Sequence, residues 1–199
     1  MPDIPMYHEG SRRLQDRFLT RKLADRLVEI LARSGFTDED RAFIESRPLF
    51  FLATADADGR PDCSHKGGSP GFVRVVAPDT LAFPDYDGNG MYKSLGNVLV
   101  NPAVGLLFID FESPRRLRVN GRASVCAEDP LRREFEGAQL IVRVQALAIF
   151  PNCPRYIHRT QTVEQSVHTP CKGYVPPEPG WKKQPVFRDA LPTGPVVGD

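Results

Sequence analysis

The sequence has little excess of either charge: 26 lysines and arginines stand against 25 aspartates and glutamates in 199 residues, a formal net charge of +1. Near neutrality removes the general electrostatic argument for binding to nucleic acid or to an anionic membrane surface. No run approaches the about 20 apolar residues that a membrane-spanning helix needs. The N-terminus carries Asp3, His8 and Glu9 and lacks the apolar core of a secretory signal. These absences predict a cytoplasmic protein with no nucleic-acid or membrane partner.

Cysteine is also scarce. The four cysteines are far apart and form no C-x-x-C pair: Cys63, Cys126, Cys153 and Cys171. A disulfide framework is not expected in a chain long enough to build its own core, so we predict free thiols. The last two cysteines, with His158 and His168, supply zinc-ligand types but lack the compact spacing of a zinc site. A calcium loop over 85–89 lacks the glutamate at its twelfth position. We therefore predict no metal.

Several motifs that carry chemistry are missing. The chain contains no G-x-S-x-G, no Walker A sequence, no H-E-x-x-H and no G-x-G-x-x-G. Their absence argues against a serine-hydrolase elbow, a phosphate-binding P-loop, a zinc protease and a Rossmann cofactor site. No side chain stands out as a general acid or base, so the sequence assigns no catalytic residue.

Proline is plentiful but unevenly placed. Of 19 prolines, seven lie from residue 170 onward: Pro170, Pro176, Pro177, Pro179, Pro185, Pro192 and Pro195. Such a segment cannot form a long helix or a central strand. It either drapes over the fold or is partly disordered.

The N-terminal part is predicted to be helical. Apolar residues recur at helical spacing over 11–34, and Gly35 stands where a C′ glycine belongs. The apolar positions are Leu14, Phe18, Leu23, Leu27, Ile30 and Leu31. The other face is rich in arginine and lysine, which we interpret as the solvated face of a packing helix, with an anionic partner as the alternative. A capping box over 37–40 predicts a second, short helix through Ile44.

After Pro48 the period changes to that of strands. Seven short apolar or alternating runs are separated by hairpin-sized turns: 49–55, 62–68, 72–76, 80–84, 104–111, 117–125 and 140–150. Short helices are predicted at 91–100 and, with Asp129 as N-cap and Pro130 at N1, at 130–136. This spacing favours a mainly β protein: a six- to seven-stranded antiparallel barrel, closed or nearly closed, with flanking helices.

Three polar clusters could carry function. In 63–69 (CSHKGGS), glycines would allow a flat ligand or another backbone to approach, although a bulged strand with a polar loop explains them equally well. In 85–97, the amides at a helix start with Lys93, Ser94 and Asn97 suit a phosphate. In 115–122, the arginines either protect an edge strand from aggregation or recognise an anion.

The stretch from about 43 to 123 resembles the pyridoxamine 5′-phosphate oxidase-like family of FMN-binding split barrels. The resemblance rests on LFFLATADADGRPDCSHKGG, TLAFPDYDGNGMYKSLGNVLVNPAVGLLFIDF and RRLRVNGRA. It implies a six-stranded split barrel and a homodimer that holds FMN at the subunit interface. It also implies a small-molecule substrate and an electron donor such as NAD(P)H.

The family's cofactor contacts can be carried over to this chain. The second-strand contacts fall on Ser64, His65, Lys66, Gly67, Gly68 and Ser69, and the phosphate-binding helix pair falls on Lys93 and Ser94. The later-strand glutamine falls on Arg116. Because Ser64 replaces an arginine of the oxidases, Arg116 could restore that charge from across the cleft. We add Asn97 and Arg118 to the predicted cofactor set.

The resemblance predicts an FMN-dependent oxidoreductase. The C-terminal Arg-x-His and tryptophan signature of the true oxidases is not visible, which argues against oxidation of pyridoxamine phosphate. Arg155 and Tyr156 could cover the flavin face or touch substrate, or the turn they belong to could only pack the dimer. The alternatives are a non-enzymatic flavin-binding or stress-buffering protein, and a barrel that uses deazaflavin or haem. We divide a single domain into an N-terminal amphipathic helix (1–36), the barrel (37–160) and a proline-rich tail (161–199) that packs on the barrel or on the dimer partner.

Overall fold

A computed structural model describes residues 4–187 and 189–192, which form four α-helices and seven strands. The helices are α1 (Glu9–Arg17), α2 (Arg21–Leu31), α3 (Asp38–Glu45) and α4 (Lys93–Val100). The strands are β1 (Leu49–Ala55), β2 (Pro61–Gly67), β3 (Arg74–Ala77), β4 (Thr80–Tyr86), β5 (Ala103–Asp110), β6 (Arg115–Cys126) and β7 (Ala138–Pro151). Short 3-10 turns lie at Pro130–Glu134, Gly180–Lys183 and Pro185–Phe187.

The strands form one antiparallel sheet in the order β2-β1-β5-β6-β7-β4-β3. Phe50 on β1 and Phe83 on β4 are four strand spacings apart, which in a flat sheet is about 19 Å. Their ring centroids nevertheless lie 5.0 Å apart, and Phe108 on β5 stacks on Phe50 at 5.1 Å. The sheet therefore curls around one aromatic core, which confirms the predicted split barrel.

Local sequence signals place most element ends. Thr37 Oγ1 accepts a hydrogen bond from the Asp40 amide at 3.1 Å, and Asp40 Oδ2 accepts one from the Thr37 amide at 3.0 Å, which confirms the capping box. Asp129 caps the turn at Pro130, although that turn is 3-10 rather than α-helical. β1 has the predicted bounds, and each of the other six strands differs from prediction by one or two residues at one or both ends.

The prediction of a single N-terminal helix is wrong. The helix is interrupted between α1 and α2 at Leu19, whose φ of 56° is in the left-handed region. Arg12 of α1 forms an ion pair with Asp25 of α2 at 2.5 Å. α2 is followed by Ala32 in an extended conformation, so Gly35 is not its C′ residue. The predicted packing face does not pack within one chain, because five of its six apolar side chains are 42–68% exposed: Leu14, Phe18, Leu23, Leu27 and Ile30.

The proline-rich tail touches the barrel at separate points. Gln165 donates a hydrogen bond to Ser69 Oγ at 3.0 Å, and Pro170 lies beside Gly137. Lys182 forms an ion pair with Asp87. The proline at position 195 lies outside the described residues. None of the helices in the described ranges is long and apolar enough to cross a bilayer.

Candidate functional site

The first two polar clusters meet in one cleft of about 350 Å³, which we call the α4 cleft. Strand β2 forms one wall, and the end of β4, the following loop and the start of α4 form the other. Its lining residues are Asp62, Ser64, His65, Lys66, Asp85, Tyr86, Gly88, Asn89, Gly90, Met91, Tyr92, Lys93, Ser94 and Leu95. The volume lies within the range of about 300–1,000 Å³ that is typical of small-molecule sites.

The hydroxyl of Ser94 ties the two walls of the α4 cleft together. Ser94 Oγ lies 3.0 Å from Asp62 Oδ2 and 2.9 Å from Ser64 Oγ, both within hydrogen-bonding distance. Sequence analysis missed Asp62. The alternation of a strand could have found it, because Asp62, Ser64 and Lys66 are two residues apart and share one face of β2.

The start of α4 presents unsatisfied donors. The first amides of a helix have no acceptor within the helix and carry the positive end of its dipole. Tyr92, the N-cap, has a φ of 46° and makes no side-chain cap. Its hydroxyl instead donates to Gln139 Oε1 on β7 at 3.1 Å, which anchors the loop. The helix begins at Lys93 rather than at Met91, because left-handed Tyr92 interrupts it.

Two ammonium groups and two carboxyls, those of Asp62 and the half-buried Asp85, set the charge of the α4 cleft. Lys66 and Lys93 both line it, and neither has an ion-pair partner within 4.0 Å among the described residues. Burial raises the pKa of Asp85; the Lys66 charge opposes that rise and the Asp87 charge adds to it. A phosphate placed between β2 and α4 would meet two cations, two hydroxyls and the amides of a helix start, with the Asp62 carboxylate beside the Ser94 hydroxyl.

The rest of the β2 segment is not brought into the cleft. Gly68 is buried, and a Cβ on it would lie 2.5 Å from the Phe72 ring, so this glycine allows core packing. A Cβ on Gly67 would meet the His65 ring at 2.8 Å. Ser69 lies outside the cleft and accepts a hydrogen bond from Gln165 of the tail. Of the predicted ring contacts, Ser64, His65 and Lys66 line the cleft.

Asn97 fixes α4 to the barrel instead of reaching the cleft. It is buried, and its Nδ2 donates to Thr54 Oγ1 on β1 at 3.0 Å. A satisfied buried amide of this kind holds the helix in place. The predicted phosphate contact at Asn97 therefore has no counterpart within one chain.

The predicted β6 cations lie apart from the α4 cleft within one chain. Arg118 lines another cleft, beside the N-terminal helices. Two buried side-chain atoms, Arg116 Nε and Asn152 Oδ1, have no hydrogen-bond partner in the described parts of the chain. The two residues are neighbours, since the backbone N–H of Asn152 donates to the Arg116 carbonyl at 3.5 Å. A role for either arginine at the cofactor would need a second copy of the chain.

The segment after β7 is exposed. Tyr156 is 85% exposed, and neither it nor Arg155 lines the α4 cleft. A hydrogen bond from Arg155 lowers the pKa of the Cys153 thiol, and the charge of Arg116 adds to this effect. Across 4–187 and 189–192, no three His, Cys, Asp or Glu side chains come together in a way that could hold a metal ion.

The curled antiparallel sheet, with a helix crossing it, defines a split-barrel protein. Residues 36–168, more than half of the chain, match the family described as pyridoxamine 5′-phosphate oxidase. The chain belongs to this family, which confirms the resemblance stated above.

Solved structures are similar to this chain at low sequence identity. HupZ from Group A Streptococcus is 19% identical over 63% of this chain and 99% of its own, with a TM-score of 0.48. HutZ from Vibrio cholerae, described as a haem storage protein, is 21% identical over 54% and 88%, with a TM-score of 0.41. An FMN-binding protein from Syntrophomonas wolfei is 13% identical over 71% and 96%, with a TM-score of 0.43. No curated protein has a matching sequence.

Proposed function

We propose that the protein binds FMN with its phosphate in the α4 cleft. This proposal depends on one observation: Lys66 on β2 and Lys93 at the uncapped start of α4 line the same cleft. A dianionic phosphate needs two or three cations or amides, and this site offers both kinds of donor beside the Ser64 and Ser94 hydroxyls. Membership in the oxidase family supports FMN over other phosphate esters.

A homodimer is part of the proposal. The α4 cleft of one chain is polar, whereas an isoalloxazine ring needs a flat and largely apolar slot. A second copy would supply the missing wall, and Arg116 on the outer face of β6 would then bring a further cation to the cofactor.

The activity we propose is that of an oxidoreductase on a small molecule, with NAD(P)H as electron donor. Bound FMN supplies the hydride or electron transfer, and the protein binds and orients it. Lys66 and Lys93 hold the phosphate, the Ser94–Asp62 contact fixes the two walls, and Asp85 sets the charge beside Lys66. Arg155 and Tyr156, exposed after β7, are available to a substrate at the cleft of a second copy.

Cofactor identity is tested by the absorption spectrum of the purified protein and by titration with FMN, followed through quenching of flavin fluorescence. We expect flavin absorption bands and a loss of FMN affinity of about tenfold for each of Lys66→Met and Lys93→Met, the size of one charge-assisted contact. Lys183→Met, which removes an exposed lysine of the tail, is the control. A Soret band, a deazaflavin spectrum, or full FMN affinity in the double variant would contradict the proposal.

Catalysis is tested separately from binding. Oxidation of NADH or NADPH with a quinone as acceptor should be faster with the FMN-loaded protein than with an equal concentration of free FMN. A rate equal to that of free FMN, together with tight FMN binding, would instead establish the non-enzymatic flavin-binding alternative.

A further inference from the structure

A second cleft lies between the N-terminal helices and the ends of β6 and β7, and we call it the helix cleft. Its volume is about 760 Å³, more than twice that of the α4 cleft, and the two clefts share no lining residue. Leu27, Val28 and Leu31 of α2 form one wall, and Phe150 and Pro151 at the end of β7 form the other. A mostly apolar cleft of this size, with a few polar groups, is the usual form of a small-molecule site.

The polar groups that line the helix cleft include a single charge in the described parts of the chain. Arg118 is the one charged residue among the described residues that line it. Its guanidinium makes no ion pair or side-chain hydrogen bond with any described residue, in contrast to Arg115 on the same strand, which pairs with Glu39 at 2.8 Å. The Tyr7 hydroxyl is already used, since it donates to the Ala24 carbonyl at 3.3 Å. Arg118 is exposed and unpaired, so its charge is available to an anion that enters the cleft.

From this charge and these walls, we propose that the helix cleft binds a small organic anion with an apolar body: a carboxylate or sulfonate on an aromatic or aliphatic group. The anionic end contacts Arg118, and the apolar body lies between α2 and the end of β7. One guanidinium suits a single anionic group and not a polyanion. The site is separate from the FMN site proposed above, because the two clefts have no lining residue in common.

Cys153 gives a local readout of occupancy. It lines the helix cleft, whereas the other three cysteines are exposed elsewhere: Cys63 on β2, Cys126 at the end of β6 and Cys171 in the tail. A ligand in the cleft should therefore slow alkylation of Cys153 by iodoacetamide and leave the other three thiols unchanged. Mass spectrometry of the alkylated peptides measures all four rates in one sample of the full chain.

The probe is 1-anilinonaphthalene-8-sulfonate, and its neutral counterpart is N-phenyl-1-naphthylamine, which has the same rings without the sulfonate. We expect the sulfonate to protect Cys153 and to bind about tenfold more weakly to Arg118→Gln, the loss expected for one charge-assisted contact. The neutral compound should bind both proteins alike. Arg122→Gln is the matched control, because Arg122 is exposed on the same strand but does not line the cleft.

The exposed apolar side chains of α1 and α2 could bind the probe nonspecifically. Leu23→Gln with Ile30→Gln removes two of them without touching the cleft lining, and should leave protection of Cys153 intact. Equal binding of the two compounds, or unprotected Cys153 in the presence of bound probe, would overturn the proposal. The proposal would also be overturned if Cys153 were unreactive without any probe, because a second copy would then cover the cleft. A loss of FMN affinity in Arg118→Gln would overturn it too, because Arg118 would then lie at the cofactor.

Discussion

Lys182 in the proline-rich tail forms an ion pair with Asp87, 95 residues earlier in the chain. Asp87 immediately precedes the loop residues that line the α4 cleft, and Lys182 is only 19% exposed while it lies near the ring of Trp181. The tail therefore braces the loop that holds the start of α4. This contact places the 3-10 turn Gly180–Lys183 of the tail next to the proposed cofactor site.

Removal of this brace should weaken cofactor binding modestly. An ion pair with one exposed partner contributes about 0.2–1 kcal/mol, so Lys182→Ala should lower FMN affinity by at most about fivefold. FMN titration measures the change. Lys183→Ala, which removes the exposed neighbour, should have no effect, and an equal loss in both variants would contradict the bracing role.

The second prediction concerns the pH dependence of stability. Burial raises the pKa of Asp85, partly offset by Lys66, so its ionised form destabilises the folded protein above that raised pKa. The cost disappears as the pH falls toward the ordinary value of 3.8, where the unfolded chain is protonated too. Asp85→Asn should therefore melt at a higher temperature than the wild type at neutral pH, and the difference should shrink on acidification.

The control for this measurement is Glu128→Gln, which removes an exposed carboxylate and should leave the melting temperature within the scatter at every pH. An Asp85→Asn variant that melts at a lower temperature than the wild type at neutral pH would show that the Lys66 charge outweighs burial at this site.

The strands could be predicted from sequence because alternation and turns are local. The same alternation could have placed Asp62 beside Ser64 in the α4 cleft. Periodicity cannot say what covers an apolar face, so Leu23 and Ile30 were expected in the core and are instead exposed. A glycine next to polar residues likewise does not reveal whether ligand or core approaches it, and at Gly68 the Phe72 ring does.

The exposed apolar stripe yields the third prediction. Leu23→Gln with Ile30→Gln should change the unfolding free energy of the chain by less than about 0.5 kcal/mol per substitution, because both side chains are surface residues in one chain. Urea unfolding at a concentration where the protein is monomeric checks this. A loss of several kcal/mol would mean that these side chains pack against the barrel after all.

The fourth prediction concerns the joint between α2 and α3. Arg33 contacts both oxygens of Asp40, a nearly buried carboxylate that also closes the Thr37 capping box. Burial alone would raise the pKa of Asp40, but the hydrogen bonds from Arg33 and Thr37 outweigh it and lower the pKa. The pair therefore stabilises the fold above the ordinary pKa of 3.8, and that contribution is lost as the pH falls through the lowered value.

Asp40→Ala should cost about 2–3 kcal/mol of unfolding free energy at neutral pH, somewhat below the loss for a fully buried pair, because Arg33 is partly exposed. Thr37→Ala, which removes only the cap, should cost about 1 kcal/mol. Denaturant unfolding of both variants measures the difference. Equal losses would mean that the ion pair contributes nothing beyond the cap.

The last prediction separates two roles of glycine near the site. A methyl group on Gly68 would lie 2.5 Å from the Phe72 ring and must displace it, so Gly68→Ala should cost about 1–3 kcal/mol of unfolding free energy. Gly96 lies within α4, and a methyl group there would have no neighbouring atom within 4 Å, so Gly96→Ala should stabilise the protein by about 0.5–1 kcal/mol. FMN affinity of the folded protein should be unchanged in both. A Gly68→Ala variant with normal stability that no longer binds FMN would contradict this prediction. It would show that Gly68 lies against the ligand, because the methyl group would then block FMN without disturbing the packing of Phe72.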